Sequence, residues 1–584
     1  MKDFFKYTLA TITGLLITSF LIFFLFITAI ISMIPTSSDT ETVVAENSVF
    51  SLKLEGFLNE RGTSNPIKEL LVSEIPSSGL KEILESIQKA KDHPNIKGIY
   101  LDAANMSASF ASLEAIRNAL IDFKSSDKFI ISYADQYTQG EYYLASVADE
   151  IHVNPKGSVN WMGLSSNPMF YTQLLKKIGV EMQIFKVGTY KSAVEPYIET
   201  SMSKENKEQV HEYITDIWSH ILEGVSTARG IEIEALNQYA DQMMLFQPSE
   251  ACINARLVDK LSYRSDMDKI LEDKVGSKPK LLSLNKLQNV STKSIDKKAE
   301  TIAVYYASGT IVDQLSKYSD EAIVSNKVIK DLKKIEDNEK IKSVVIRINS
   351  PGGSAYASEQ IWKAIMNLKA KKPVTISMSD VAASGGYYMA AAGDYIVAEP
   401  TTLTGSIGIF AMIPNFREAT DKIGLNFDVV KTNKHSDFGA LGRALTDDEG
   451  TLLQNYVNEG YDLFVQRCAD GRNMTTDQIR EIAEGRVWSG KKAKELGLVD
   501  ELGGLDRAIE IAAEKADISN YKVHSYPRQK ELFEQIMELS AKDMVQSFLI
   551  NTDMRKILNE TLFLEQLQSE SFLQARLPYL LNIQ

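Results

Sequence analysis

Short apolar runs alternate with stretches of helical periodicity along most of this chain, and the alternation occurs twice. The first round opens at Val49–Gly56 (VFSLKLEG), continues through Gly98–Leu101, and is followed by Ser112–Lys124, with apolar residues at three- and four-residue spacing. The second opens at Ile302–Gly309 (IAVYYASG), continues through Ser343–Ile346, and is followed by Ala357–Lys369. Short apolar runs predict strands, and the three-and-four spacing predicts amphipathic helices. Strands alternating with helices predict βαβ units and a largely parallel sheet, hence an α/β fold.

The two rounds align without a gap. ISYADQYTQGEYYLASVADEIHVNP from Ile131 matches ISMSDVAASGGYYMAAAGDYIVAEP from Ile376 at a constant offset of 245. That offset pairs Asp135 with Asp380, Tyr142 with Tyr387, Asp149 with Asp394 and Pro155 with Pro400, and holds from Ile96/Ile341 to Gly179/Gly424. A repeat this long means two copies of one domain rather than a solenoid of short units. The copies differ where chemistry would sit. Ser384 faces Gln139, and Lys191 faces Ser436, so one copy holds a candidate nucleophile and the other a candidate base.

The ends of the chain follow other patterns. Lys2 and Lys6 precede an uncharged stretch, Tyr7–Pro35, longer than the ~20 apolar residues a helix needs to cross a bilayer. It lacks a small-residue cleavage site, so a retained transmembrane helix is expected, with the basic end inside and the rest of the chain outside. Residues 269–298 are rich in Lys, Ser and Asp and read as a linker. After Tyr526 the chain turns amphipathic, as in Glu531–Leu549, and reads as helical. The predicted organisation is an anchor (1–35), an N-terminal repeat (48–268), the linker (269–298), a C-terminal repeat (299–525) and a helical tail (526–584).

Composition adds two exclusions. A net charge of −13 argues against nucleic acid as a partner. The six histidines show neither the HExxH metal pattern nor a recognisable triad pattern, although His435 aligns with Tyr190 beside the Lys191 position. No phosphate loop or dinucleotide motif is present. No metal or cofactor is expected. Cys252 and Cys468 do not correspond in the repeat, and the sequence leaves open whether they pair.

Three segments could carry chemistry. Ser384 in Ala382–Tyr388 (AASGGYY) follows a strand and precedes a helix, where its hydroxyl could cap the helix or act as a nucleophile beside free N–H groups. Gly352 and Gly353 in Asn349–Ser354 (NSPGGS) follow a strand, as in an ordinary turn or as backbone donors to an oxyanion. The other copy has Ser107 and Ala108 there, so glycines and serine are missing together. Lys191 in Gly188–Ala193 is by type a surface residue, but a buried neutral lysine can accept the proton of a serine.

Together, YKSAVEPY around Lys191, NSPGGS, AASGGYY and TGSIGIF at Thr404–Phe410 resemble the signal peptide peptidase A (protease IV) family in its long, duplicated form. The resemblance covers about Val49–Ala513. It implies tandem Clp-protease/crotonase-like domains and a Ser/Lys dyad, with Ser384 as nucleophile and Lys191 as base from different repeats. Gly352 and Gly353, with the N–H of Gly385, match the family's oxyanion site. It further implies a serine endopeptidase, anchored in a bacterial inner membrane with its catalytic part on the periplasmic side. The substrates implied are cleaved signal peptides and other hydrophobic peptides, and the assembly a homotetramer. Two other readings stay open: a crotonase-like acyl-thioester enzyme, and a non-catalytic membrane scaffold.

Overall fold

A computed structural model describes residues 2–33, 42–62, 77–291, 298–314, 322–528 and 573–576. The first sheet contains β1 (Ser48–Asn59), β2 (Ser77–Gly79), β3 (Ile96–Ser107), β4 (Phe129–Ala134) and β5 (Glu150–Val153). Next, β6 (Glu181–Val187) leaves this sheet, and β7 (Lys260–Leu261) and β8 (Lys280–Ser283) return to it. The order is β2-β1-β3-β4-β5-β7, with β8 also on β1, and every pairing is parallel. The helices Leu80–Asp92 and Phe110–Lys124 fill the crossovers and bury Ile83, Ile87, Ile116 and Leu120. A parallel pair needs such a crossover, and this is why the apolar runs and helical stretches alternate in the sequence.

The second repeat rebuilds the sheet from β9 (Glu300–Ser308), β12 (Ile341–Ser350), β14 (Val374–Ala383) and β15 (Tyr395–Ala398), after the short β10 (Thr310–Val312) and β11 (Ala322–Val324) and with β13 (Gly352–Ser354) between. It adds β16 (Leu403–Gly405), β18 (Val487–Ser489), β19 (Glu501–Leu502) and β20 (Tyr521–Tyr526), while β17 (Ile409–Asn415) and β21 (Leu573–Arg576) lie elsewhere. The order is β18-β16-β14-β12-β9-β20, with β15 on β14 and β19. Strands β5 and β15 stand 245 residues apart, as the repeat requires.

A third sheet, β11-β10-β13-β21-β17-β6, joins the repeats. In it β6 of the first repeat runs antiparallel to β17 of the second, from Glu181↔Asn415 to Val187↔Ile409. The apolar core is also shared, since Ala383, Leu403 and Val487 pack into the first repeat's cluster. Beneath the joint, the buried Arg347 holds Glu60 of the first repeat at 3.0 Å and donates to Ser377 Oγ and Met378 O. A buried ion pair of this kind fixes one arrangement of the two halves, because either partner alone would be an uncompensated charge.

Three stretches differ from the sequence reading or fall partly outside it. The presumed linker is folded in large part: β8 pairs with β1, and the helices Met267–Val275, which starts two residues ahead of it, and Leu284–Gln288 bury its Leu271 and Leu287. Its apolar residues are few but regularly placed, and the polar majority between them hid the elements. Residues 292–297 lie outside the described set. Of the tail, only Leu573–Arg576 is described beyond residue 528, and it is a strand rather than a helix. The first helix, Lys2–Met33, runs 32 residues. Among the described residues no helix is long and apolar enough to cross a membrane. Cys252 and Cys468 are both buried and free.

Candidate active site

Ser384 stands between the end of β14 and the helix Gly385–Ala390, at φ 55° and ψ −114°. A serine rarely holds this conformation, which costs on the order of 1–3 kcal/mol and persists where the surroundings over-determine it. Here Ser384 N donates to Gly405 O at 2.8 Å and Ser384 O accepts from Tyr388 N at 2.8 Å. The side chain makes no cap bond to its helix, although it occupies the cap position. That removes the capping explanation for the residue. The glycines that follow are sterically required: a methyl at Gly386 would come within 2.8 Å of Ser350 O, and one at Gly385 within 2.6 Å of Ser358 Oγ.

The Ser384 hydroxyl instead meets Lys191. The β6–β17 pairing carries the chain across the joint, and the turn after β6 delivers the lysine. Gly188, at φ 109°, lies against Glu484, and Tyr190 N donates to Glu484 O at 2.8 Å. Thr189 N and Oγ1 donate to the Glu484 carboxylate at 2.9 and 3.1 Å. The stem then passes over two glycines, because methyls at Gly485 and Gly408 would reach Lys191 atoms at 2.7 and 3.3 Å. Lys191 Nζ ends 2.8 Å from Ser384 Oγ, 3.0 Å from Ser406 Oγ and 3.0 Å from Ser406 O.

Lys191 and Ser384 are both wholly buried. Burial alone pulls the Lys191 ammonium down from its ordinary 10.5 to about 7. Removing a charge from water without a counter-ion has this sign, and it leaves a large neutral fraction near neutral pH.

Gly352, at φ 97°, and Gly385 lie side by side: a methyl on Gly352 would sit 2.7 Å from Gly385 N. Gly352 N–H donates to Ser350 Oγ at 3.1 Å, and Ser350 Oγ donates to Gly309 O at 2.7 Å. Gly353 packs against Ile311, whose carbonyl a methyl there would meet at 2.0 Å. Thus the sequence-predicted residues Ser384, Lys191, Gly352, Gly353 and Gly385 converge. Ser406, which lies in the TGSIGIF segment, joins them as a partner of the lysine that no local feature of the sequence marks. His435 does not join them, lying 3.2 Å from Asp448 and 3.5 Å from Glu449 in another part of the chain.

The equivalent position in the first repeat is closed. Gln139 Oε1, where the serine would be, accepts from Met162 N and Gly163 N at 3.1 and 3.0 Å. Trp161 replaces Ser406 at the repeat offset and is buried, with Nε1 donating to Leu236 O at 2.9 Å. One half of the duplication thus supplies the serine and the other only the lysine.

The chain as a whole has counterparts among known sequences. The chain belongs to peptidase family S49, whose sequence profile matches residues 103–278 and 366–519. A Clp protease profile matches residues 299–402, so the duplicated domains are Clp-protease-like. Protease 4 of Haemophilus influenzae is 36% identical over 84% of this chain and 83% of that protein. The chloroplastic serine protease SPPA of Arabidopsis thaliana is 34% identical over 81% of this chain and 70% of that protein. A putative signal peptide peptidase SppA of Enterococcus faecium is 33% identical over 37% of this chain and 64% of that protein. The protein is a serine protease.

Proposed function

We propose that this chain is a membrane-anchored Ser/Lys endopeptidase that degrades cleaved signal peptides and other hydrophobic peptides. The observation that carries the proposal is the 2.8 Å approach of Lys191 Nζ to Ser384 Oγ in a buried, carboxylate-free setting. A neutral lysine has two N–H bonds and one lone pair. Ser406 Oγ and O offer acceptors for the two N–H bonds. The lone pair is then free to take the Ser384 proton as Oγ attacks a carbonyl carbon. Lysinium returns that proton to the leaving amine, and water repeats the sequence on the acyl-enzyme. The N–H groups of Gly353 and Gly385 are the oxyanion donors we favour. Gly352 shapes the turn, since its N–H is held by Ser350.

The signal-peptide substrate class rests on the family resemblance and the name of the Enterococcus relative. The anchor rests on the uncharged run Tyr7–Pro35 of the sequence, which lies largely on the helix Lys2–Met33. Phe4, Leu15, Leu16 and Phe20 on it are more than 60% exposed, as lipid-facing residues would be. Lys2 and Lys6 on the inner side put the catalytic part on the periplasmic face.

Pseudo-symmetry supports a ring. At the 245 offset, the counterparts of β6 and β17 are residues 426–432 and 164–170, which form no strand. Their apolar residues Met169, Phe427, Val429 and Val430 are exposed. Repeating the β6–β17 pairing between copies would cover them head to tail, a heterologous contact that closes on rotation, here read as a homotetramer.

An acyl-thioester enzyme would not need the lysine on the serine, and a scaffold would not need the strained serine. The discriminating experiment is cleavage of an apolar peptide, compared with an acidic peptide of equal length, by wild type and Ser384→Ala. Cleavage of the apolar peptide by wild type alone is expected. Equal cleavage by Ser384→Ala refutes the assignment.

A further inference from the structure

Two turns from different repeats must meet for Lys191 to reach Ser384, and one buried amide ties them together. Gln209 lies on the helix Lys204–Arg229 of the first repeat and is 1% exposed. Its Nε2 stands 3.1 Å from Tyr190 O and 3.1 Å from Ser192 Oγ, on the two residues that flank Lys191. The same Nε2 is 3.1 Å from Asn206 Oδ1, and Asn206 Nδ2 donates to the buried Glu195 at 2.7 Å, just past the lysine turn. Gln209 Oε1 reaches across the joint and accepts from Val487 N at 3.1 Å. Val487 in β18 stands opposite Gly405 in β16, and Gly405 O is the acceptor for Ser384 N. The neighbouring Ser406 N donates to Arg486 O at 2.7 Å. One side chain therefore fastens both flanks of the lysine to the strand pair that carries the serine's turn.

The duplication again supplies a control. The helix Asp447–Arg472 is the counterpart of Lys204–Arg229: each runs 26 residues and starts at a capping hydroxyl, Thr446 or Ser203. Aligning the two caps, an offset of 243, sets Gln209 opposite Leu452, which is 56% exposed. A helix-packing role common to both repeats would bury both positions. The buried amide is present where the lysine is present.

We propose that Gln209 is a positioning residue for the reaction: it touches no reacting atom but holds the Lys191 turn so that Nζ stays on Ser384 Oγ. The proposal rests on the Ser384/Lys191 reading above. Lysine is a point charge on a flexible stem, so Nζ is placed only as well as its backbone is. A misplacement of about 1 Å can cost ~100-fold in rate. A slack turn would also admit water to Nζ and favour the ammonium again. The charged groups around the turn are Glu484, bonded by Thr189; Arg486, on the Tyr190 hydroxyl and on Glu208 and Glu212; and Glu195, bonded by Asn206 and Ser203. Among the described residues Nζ bonds only Ser384 and Ser406.

The test is the rate constant for fluorophosphonate labelling of Ser384 from pH 5 to 10. It is measured on the full chain in detergent for wild type, Gln209→Leu, Gln209→Glu, Lys191→Ala and the double variant Lys191→Ala/Gln209→Leu. Unfolded protein lowers the amplitude of labelling and leaves the rate constant of the folded molecules unchanged. Gln209→Leu should label roughly 10–100-fold more slowly, with its pH midpoint about one unit above that of wild type. Gln209→Glu keeps the shape and the Val487 bond but replaces the donor with an acceptor. It should also be slower with a raised midpoint, and it carries the test if the leucine variant does not fold. The double variant should be no slower than Lys191→Ala, because the glutamine acts through the lysine. Wild-type rates in the Gln209 variants, slower labelling with an unmoved midpoint, or a double variant slower than Lys191→Ala each overturn this proposal and leave the base reading intact. Labelling of Lys191→Ala at the wild-type rate overturns both.

Discussion

Replacing Lys191 with methionine should remove activity and yet stabilise the protein at neutral pH. Burial lowers the lysine from 10.5 to about 7. At about 1.4 kcal/mol per unit, this is roughly 5 kcal/mol of lost preference for the charged form. In the unfolded chain the lysine keeps its ordinary pKa, so between pH 7 and 10.5 the unfolded state binds more protons than the folded one. Stability therefore rises with pH across that window. The lysine costs the fold about 4 kcal/mol at pH 7 and about 1 kcal/mol at pH 10. Methionine has similar length and no charge, but it gives up the bonds to Ser384 Oγ and to Ser406 Oγ and O, worth about 1 kcal/mol each. The variant should thus gain about 1 kcal/mol at pH 7. Its advantage should fall by roughly 3 kcal/mol on going to pH 10. Denaturant midpoints for both proteins in the same detergent, from pH 7 to 10, measure this. A difference that stays flat with pH, or grows as pH rises, refutes the claim that Lys191 is buried without a counter-charge.

Two further outcomes are expected. Ser406→Ala should lower kcat on an apolar peptide roughly 10–100-fold with KM unchanged, since it loosens Lys191 without touching the groove. Its pH midpoint should also move down, because the ammonium loses an acceptor. Glu60→Ala should destabilise the protein by about 3–5 kcal/mol in denaturant titration by stranding Arg347, and Glu60→Leu combined with Arg347→Met should recover most of the loss.

Much of this was legible in the sequence because duplication provides an internal control. The periodicity gave the parallel sheets, and the mismatches Ser384/Gln139 and Lys191/Ser436 singled out the two residues that the structure brings within hydrogen-bonding distance. Other features were silent for physical reasons. Nothing local to Glu484 or Ser406 announces that one latches the lysine turn and the other receives Nζ, because both contacts cross the joint between repeats. The tail carries helical periodicity in Glu531–Leu549, but Leu573–Arg576 becomes a strand because flanking strands offer it backbone partners. Strand pairing of that range depends on tertiary context rather than on the four residues themselves.

The central claim is that a lysine from one repeat activates a serine from the other. The most direct measurement is the rate at which a fluorophosphonate labels the protein between pH 5 and 10, with the labelled residue identified by mass spectrometry. The expected result is label on Ser384 alone, a rate that rises with pH to half its plateau near pH 7, and a fall of several powers of ten in Lys191→Ala. A midpoint near the ordinary lysine value of 10.5, or labelling of Ser384 at an undiminished rate without Lys191, contradicts the account.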